Sequence, residues 1–284
     1  MIRMGGIELH VVGDGTFRLD GGAMFGIVPR AAWEKRVVPD SRNRILLGLN
    51  LLLIRTGGRN ILVETGLGDK HDARFADLYS VDRSLPAPEG LRRIGVGTGD
   101  IDMVILTHLH LDHAGGATTR REGKAVPTFP RAVYVIQEGA CEEALRDNPR
   151  TRGSYRPEDF LPLREAGLVR FVRGDEEVAP GVRVLRTGGH VGHHQMVMVE
   201  GGGRKAAFWG DLLPSTVHVK PAWVTGYDLY PAELASLKED LLGRSASEGW
   251  LNVFGHDPQI AVGVLRREED GFRVEAVERA PCVR

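Results

Sequence analysis

Residues 107–116 read THLHLDHAGG and place His108, His110, Asp112 and His113 within six positions. Each imidazole brings polar nitrogens that need partners, so this density does not suit an apolar core. Imidazole binds zinc, iron and nickel, and a carboxylate is an acceptable harder ligand. The chemistry suggested is that of a bound metal, with a chance surface cluster as the weaker alternative. Gly115 and Gly116 follow at once and let the backbone turn away.

Three more donors sit in comparable places. His190 closes VRVLRTGGH, Asp211 closes AAFWGD and His256 closes LNVFGH, each beside a glycine at the end of an apolar run. Strand ends gathered on one edge of a sheet are where α/β proteins place their ligands. Five histidines and two aspartates are too many for one tetrahedral ion and suit two.

These donors need strands to carry them. Short β-rich runs at 7–13, 49–66, 101–108, 132–137, 181–190, 194–211 and 250–257 end in glycine or a turn. TGGRN at 56–60 and EGGGRK at 200–205 predict hairpins. Between them, 137–148 carries Ala140, Ala144 and Leu145 on one helical face. Residues 230–244 place Leu234, Leu237, Leu241 and Leu242 at helical spacing and predict a helix closing on Gly243. Segments 14–44 and 146–163 read as irregular loops. Strands mixed with helices throughout predict a layered α/β architecture, and 284 residues without repeat or linker predict one domain over 1–284.

Composition removes several function classes. A formal net charge of −1 leaves no bulk electrostatic attraction for nucleic acid. Cys141 and Cys282 lie far apart and outside any CxxC spacing, which predicts no disulfide framework and a reducing compartment. No apolar stretch resembles a signal sequence or reaches the roughly 18 residues of a membrane span. The expectation is a soluble cytoplasmic protein acting on a small molecule, with neither nucleic acid nor membrane as partner.

The HxHxDH motif followed by a distant His, Asp and His resembles the metallo-β-lactamase superfamily, and every motif residue occurs in order across 108–256. The resemblance implies an αββα four-layer sandwich, two mixed β-sheets flanked by helices. It implies that His108, His110 and His190 hold one divalent ion, that Asp112, His113 and His256 hold a second, and that Asp211 bridges them. Zinc comes first, with manganese, iron, cobalt or nickel as alternatives. His194 matches a supporting position in the family's TPGHTPGH signature, written TGGHVGHH here, and joins Asp112 and Asp211 as a residue serving the reaction.

Within the superfamily, the Asp in WGD differs from class B β-lactamases, which lack the bridging Asp. The flavin-linked di-iron branch usually has Glu in the first motif, where this chain has His110. A glyoxalase II-type thioesterase carries a helical C-terminal domain, and the tail after His256 is short for one. LDGGAMFGIVPRAAWEK, LGDK with FADLY, YDLYP and GHDP resemble the branch of N-acyl-homoserine lactonases. The reaction implied is hydrolysis of an ester or lactone by a hydroxide shared between two ions. The alternatives are phosphotriester or phosphodiester hydrolysis, as in relatives of methyl parathion hydrolase, and a non-hydrolytic diiron or persulfide-oxidising relative. A homodimer is a modest expectation from the same resemblance.

The chain departs from that branch in places. Pro214 stands where those lactonases have a tyrosine, so that role falls vacant or passes to Tyr227 or Tyr230. The family's DTG is ETG at Glu64, expected to support the metal loop by hydrogen bonding. Gly188 replaces a proline, and His193 replaces a glycine and reads as exposed or supporting. His10, His71 and His218 read as structural or surface, with His218 a weaker candidate for the pocket. Phe25, Trp33, Trp223 and Tyr227 read as core or rim, and segments 14–44 and 214–230 are expected to shape the substrate cleft.

Overall fold

Alternation with both faces buried is written into the short central strands, and it fixes the layers. In the sequence RNILV, Ile61 and Val63 face one apolar cluster while Leu62 faces another. Val135 likewise parts from Tyr134 and Ile136, and Val197 and Val199 part from Met196 and Met198. A strand's side chains alternate between faces, so a strand apolar on both must lie between two packed layers.

The computed structural model describes residues 1–269 and 271–281. One sheet contains β1 (Ile2–Met4), β2 (Ile7–Asp20), β3 (Arg44–Thr56), β4 (Arg59–Val63) and β5 (Met103–Ile105). A small separate hairpin, β6 (Thr118–Arg121) and β7 (Lys124–Pro127), precedes β8 (Val133–Gln137) and β9 (Val169–Val172), which complete that sheet. Its order is β1-β2-β3-β4-β5-β8-β9, antiparallel as far as β4 and parallel beyond.

The second sheet runs in chain order through β10 (Glu176–Ala179), β11 (Val182–Arg186), β12 (Gln195–Gly201), β13 (Arg204–Phe208), β14 (Leu251–Val253), β15 (Ile260–Glu268) and β16 (Gly271–Arg279). Only β13 and β14 pair in parallel, joined by the long helix Pro231–Glu248. The sheets share one buried cluster containing Ile54, Ile105, Val184 and Phe208. Helices Ala87–Arg93, Ala140–Leu145 and Leu161–Glu165 cover the outer face of the first sheet, and the long helix covers that of the second. The expected αββα sandwich of two mixed sheets is therefore what the chain forms.

Several boundaries differ from the sequence reading. The long helix runs past Gly243 to Glu248, because Ser245 continues its buried face, and it stops at Gly249 in the left-handed region (φ 68°). A lone glycine inside a helix costs only about 1 kcal/mol, which packing overrides. The helix expected over 137–148 shortens to Ala140–Leu145, and Leu145 is exposed. Segment 14–44 is not simply a loop. β2 crosses a bulge after Gly13 and keeps pairing with β3 as far as Asp20.

Cys141 is a buried free cysteine, while Cys282 lies outside the described residues. Among the described residues no helix is long and apolar enough to cross a membrane.

Candidate metal centre

Each donor sits just beyond the end of a strand or on the turn that follows. β5 ends at Ile105, and His108 and His110 lie in the extended chain after it. The helical turn Leu111–Ala114 begins next, so Asp112 and His113 project from its start. His190 follows β11, Asp211 sits on the turn Gly210–Leu212 after β13, and His256 follows β14. Four donors thus follow the first sheet and three follow the second, meeting at one end of the seam between them.

The seven candidates form two groups, His108, His110, His190 and Asp211 in one and Asp112, His113 and His256 in the other. Within each, the donor atoms lie within 4.8 Å of one another. Asp211 faces both. Its Oδ2 is 3.2 Å from His190 Nε2 and 3.9 Å from His108 Nε2. Its Oδ1 is 3.3 Å from His113 Nε2 and 3.2 Å from His256 Nε2. Asp112 Oδ2 lies 3.7 Å from His113 Nε2 and 3.6 Å from His256 Nε2.

Protons alone satisfy this arrangement poorly. His190 Nε2 faces His110 Nδ1 at 3.0 Å, and His256 Nε2 faces His113 Nε2 at 3.1 Å. Each pair can share at most one hydrogen. His108 Nε2 and Asp211 Oδ1 are buried without any hydrogen-bond partner. Burial, reinforced by neighbouring imidazoles, drives His108 and His110 well below the usual histidine range and leaves them neutral donors. Burial alone would raise Asp211, but His113, His190 and His256 hold it well below the usual carboxylate range. Against their burial, that carboxylate in turn raises His113, His190 and His256, so a divalent cation here would replace protons where five imidazoles and an ionised carboxylate converge.

The nitrogens facing away from the centre are occupied too, which fixes ring orientation. His108 Nδ1 pairs with Thr107 Oγ1 at 3.0 Å, His256 Nδ1 with the Gly48 carbonyl at 2.9 Å and His190 Nδ1 with Asp228 Oδ1 at 2.7 Å. His113 Nδ1 lies 3.4 Å from Glu64 Oε2. Glu64 Oε1 also accepts from the Thr107 N–H at 2.9 Å, so this residue does support the loop as expected.

His194 lies behind the centre rather than in it. Its Nε2 accepts the Asp211 N–H at 3.2 Å and its Nδ1 pairs with Thr187 Oγ1 at 2.6 Å. Burial, then nearby His190, keeps it neutral, and it does not line the cleft. His193 is half-buried over Gly139. His218 is buried against Phe25 with both nitrogens paired and does not reach the cleft. His71 pairs with the Leu67 carbonyl and stacks on Phe75, and His10 lies partly buried beside Glu8.

An open cleft ends on His110, Asp112, His190, Asp211 and His256. Phe17, Leu19 and Met24 from segment 14–44 line it, as do Thr225 and Tyr227 from segment 214–230. Phe25 and Trp33 are core, stacked at 5.0 Å. Tyr227 stands at the rim, 38% exposed, whereas Tyr230 lies outside the lining. Pro214 is engaged elsewhere, its carbonyl accepting from the His256 N–H at 2.8 Å.

Phe75, Tyr79, Gly153 and Ser154 complete the walls and were not foreseen. Asp228 was missed as well. FADLY and YDLYP contain three of these residues, but no ligand spacing marks them.

A two-sheet sandwich bearing HxHxDH and three later donors at its seam defines a class of metal-centre proteins. The chain belongs to the metallo-beta-lactamase superfamily, whose profile matches residues 46–256. Its fold is similar to the crystal structure of a probable metal-dependent hydrolase from Staphylococcus aureus, at 30% identity and TM-score 0.89 over 97% of both chains. It is 30% identical over 158 residues to the N-acyl homoserine lactonase AiiA of Bacillus thuringiensis subsp. kurstaki. That match spans 52% of this chain and 56% of AiiA, just over half the length of this curated relative. The fold also matches AidC, a dizinc quorum-quenching lactonase in complex with a product, with TM-score 0.79 at 21% identity, covering 98% of this chain and 96% of AidC.

Proposed function

We propose that this chain is a dinuclear metal-dependent hydrolase that opens an ester or lactone, an N-acyl-homoserine lactone being the leading substrate class. The observation carrying the reading is Asp211, whose two oxygens face separate donor groups at the foot of an apolar-walled cleft. His108, His110 and His190 would hold one ion and Asp112, His113 and His256 the other, with Asp211 between them. Zinc is the metal assigned, as in the dizinc lactonase AidC. Bound there, such ions supply Lewis acidity toward a carbonyl and bring the pKa of water from 15.7 to near 7.

The chain's own residues do the rest. Asp112 borders both the donor set and the cleft, where it can carry a proton from the attacking water to the leaving alkoxide. The Tyr227 hydroxyl, pushed up to about 12 chiefly by burial, stays protonated at working pH and can donate to the substrate carbonyl. That gives it the part left vacant at Pro214. Phe17, Leu19, Met24 and Leu47 offer apolar surface to an acyl chain and exclude water.

The test is a hydrolysis panel of acyl-homoserine lactones, aryl esters, thioesters and phosphotriesters with zinc-, manganese- and cobalt-loaded protein. Lactones should be turned over best, and Asp211→Ala should lose on the order of 10³-fold in kcat/KM. Tyr227→Phe should lose about 10²-fold with its metal content unchanged. An Asp211→Ala variant of full activity would end the two-ion reading. Phosphotriesters outrunning lactones, or iron with oxygen uptake and no hydrolysis, would replace the substrate class or the reaction.

A further inference from the structure

We propose that Asp228 couples the metal centre to the adjoining cleft wall, so that filling the centre orders residues 223–230. The inference rests on His190 being a metal ligand. Asp228 is a buried carboxylate with one oxygen committed to each side. Oδ1 holds His190 Nδ1 at 2.7 Å, and Oδ2 accepts the Thr225 N–H at 2.6 Å. Backbone bonds run alongside, from Leu229 N–H to the His190 carbonyl at 2.9 Å and from Tyr230 N–H to the Gly189 carbonyl at 3.0 Å. The wall that carries Thr225 and Tyr227 is thus zipped to the loop that carries His190.

Two other side chains hold this wall from elsewhere. Lys238 donates to the Trp223 carbonyl at 2.7 Å, and Arg150 donates to the Gly226 carbonyl at 2.7 Å. Of the three, only Asp228 reaches the donor set. For His190 to offer its Nε2 lone pair, the ring hydrogen must sit on Nδ1, where Asp228 accepts it. A ring fixed by a bound ion therefore fixes the carboxylate, and the carboxylate fixes Thr225. Asp228 is a positioning residue, touching neither substrate nor ion.

Hydrogen exchange of the full chain, read with zinc and again with EDTA, tests this without any substrate. In the wild type, zinc should slow exchange about tenfold at 223–230 as well as at 107–113. In Asp228→Ala zinc should still protect 107–113 but no longer 223–230, and zinc affinity in a chelator competition should fall about 10- to 100-fold.

Asp228→Asn sharpens the test. Its amide oxygen can still accept from His190, but its NH₂ group then faces the Thr225 N–H, donor against donor. Zinc affinity should recover while the protection at 223–230 stays absent, an outcome that simple loss of stability does not produce.

If zinc bound the wild type yet left 223–230 unchanged, this inference alone would be overturned. The same holds if both variants showed wild-type protection there. Failure of the wild type to take up zinc would overturn the metal-centre reading, and this inference with it. The wild-type comparison stands even if a variant folds poorly.

Discussion

A buried histidine here is either aimed at the centre or locked away from it, and His218 shows the second kind. Its Nδ1 pairs with Ser215 Oγ at 2.8 Å, its Nε2 with the Met24 carbonyl at 2.9 Å, and its ring stacks on Phe25 at 4.9 Å. Burial first, then the Lys238 cation, holds it down at about 3. The unfolded chain gains this proton near pH 6.5, while the folded chain refuses it until about 3. Stability is therefore full above 6.5 and falls as pH drops from 6.5 toward 3, by about 1.4 kcal/mol per pH unit for this residue. Urea unfolding between pH 6.5 and 4.5, with chelator present, should show a slope smaller by that amount in His218→Phe. Equal slopes in both proteins would contradict it. At this scale the seven donors were legible because their spacing is local or tied to strand ends. Asp228 was not, since its partner His190 lies 38 residues away and YDLYP reads as a rim aromatic stretch.

The turn that delivers Asp211 is the most demanding element of the centre. β13 ends at Phe208, and Gly210 adopts φ 54°, a left-handed conformation that side chains rarely take. A Cβ there would come within 2.6 Å of His194 Nε2 and 2.8 Å of Thr107 Oγ1. His194 could then no longer receive the Asp211 N–H, and Thr107 would be pushed off His108. Gly210→Ala should cost about 2–4 kcal/mol and reduce bound metal below the wild-type content, read by urea unfolding and elemental analysis. A variant of wild-type stability and metal content would show that the turn tolerates a side chain. The sequence signals for elements were strongest where strands are buried on both faces, as in β4, β8 and β12. β15 and β16 escaped because their charged residues are exposed and break the apolar run, with Arg266 pairing with Glu275 and Arg273 with Glu268 across the hairpin instead. Segment 14–44 differs from a loop because the GDG at 13–15, which reads as a turn, forms a bulge in one continuing strand.

At the scale of the whole molecule, the centre joins two sheets that meet through a shared apolar core and through polar links such as Gln137–Gln195 at 2.9 Å. His256 comes from the second sheet, yet its Nδ1 and its carbonyl both bond to Gly48 of β3, and Asn50 bonds to the Gly255 carbonyl. The strands predicted a layered α/β fold and the family resemblance its sandwich form, but this stitching was legible in neither, because it depends on backbone groups that any residue supplies. Donors drawn from both sheets make ion binding a property of the assembled fold, so an ion stabilises only the folded chain. At a free metal concentration a thousand times Kd that stabilisation is about 4 kcal/mol. With roughly 2–4 °C per kcal/mol for a chain of this size, chelation should lower the melting temperature by about 8–16 °C. We propose that 1–284 behaves as one domain, so the loss should appear as a single transition moving as a whole and recovering when zinc is restored. Asp211→Ala should gain little from added zinc. If scanning calorimetry showed the wild type indifferent to EDTA, seven convergent donors would have to be explained without an ion. If only part of the transition moved, the sheets would be melting separately and the centre would belong to one of them.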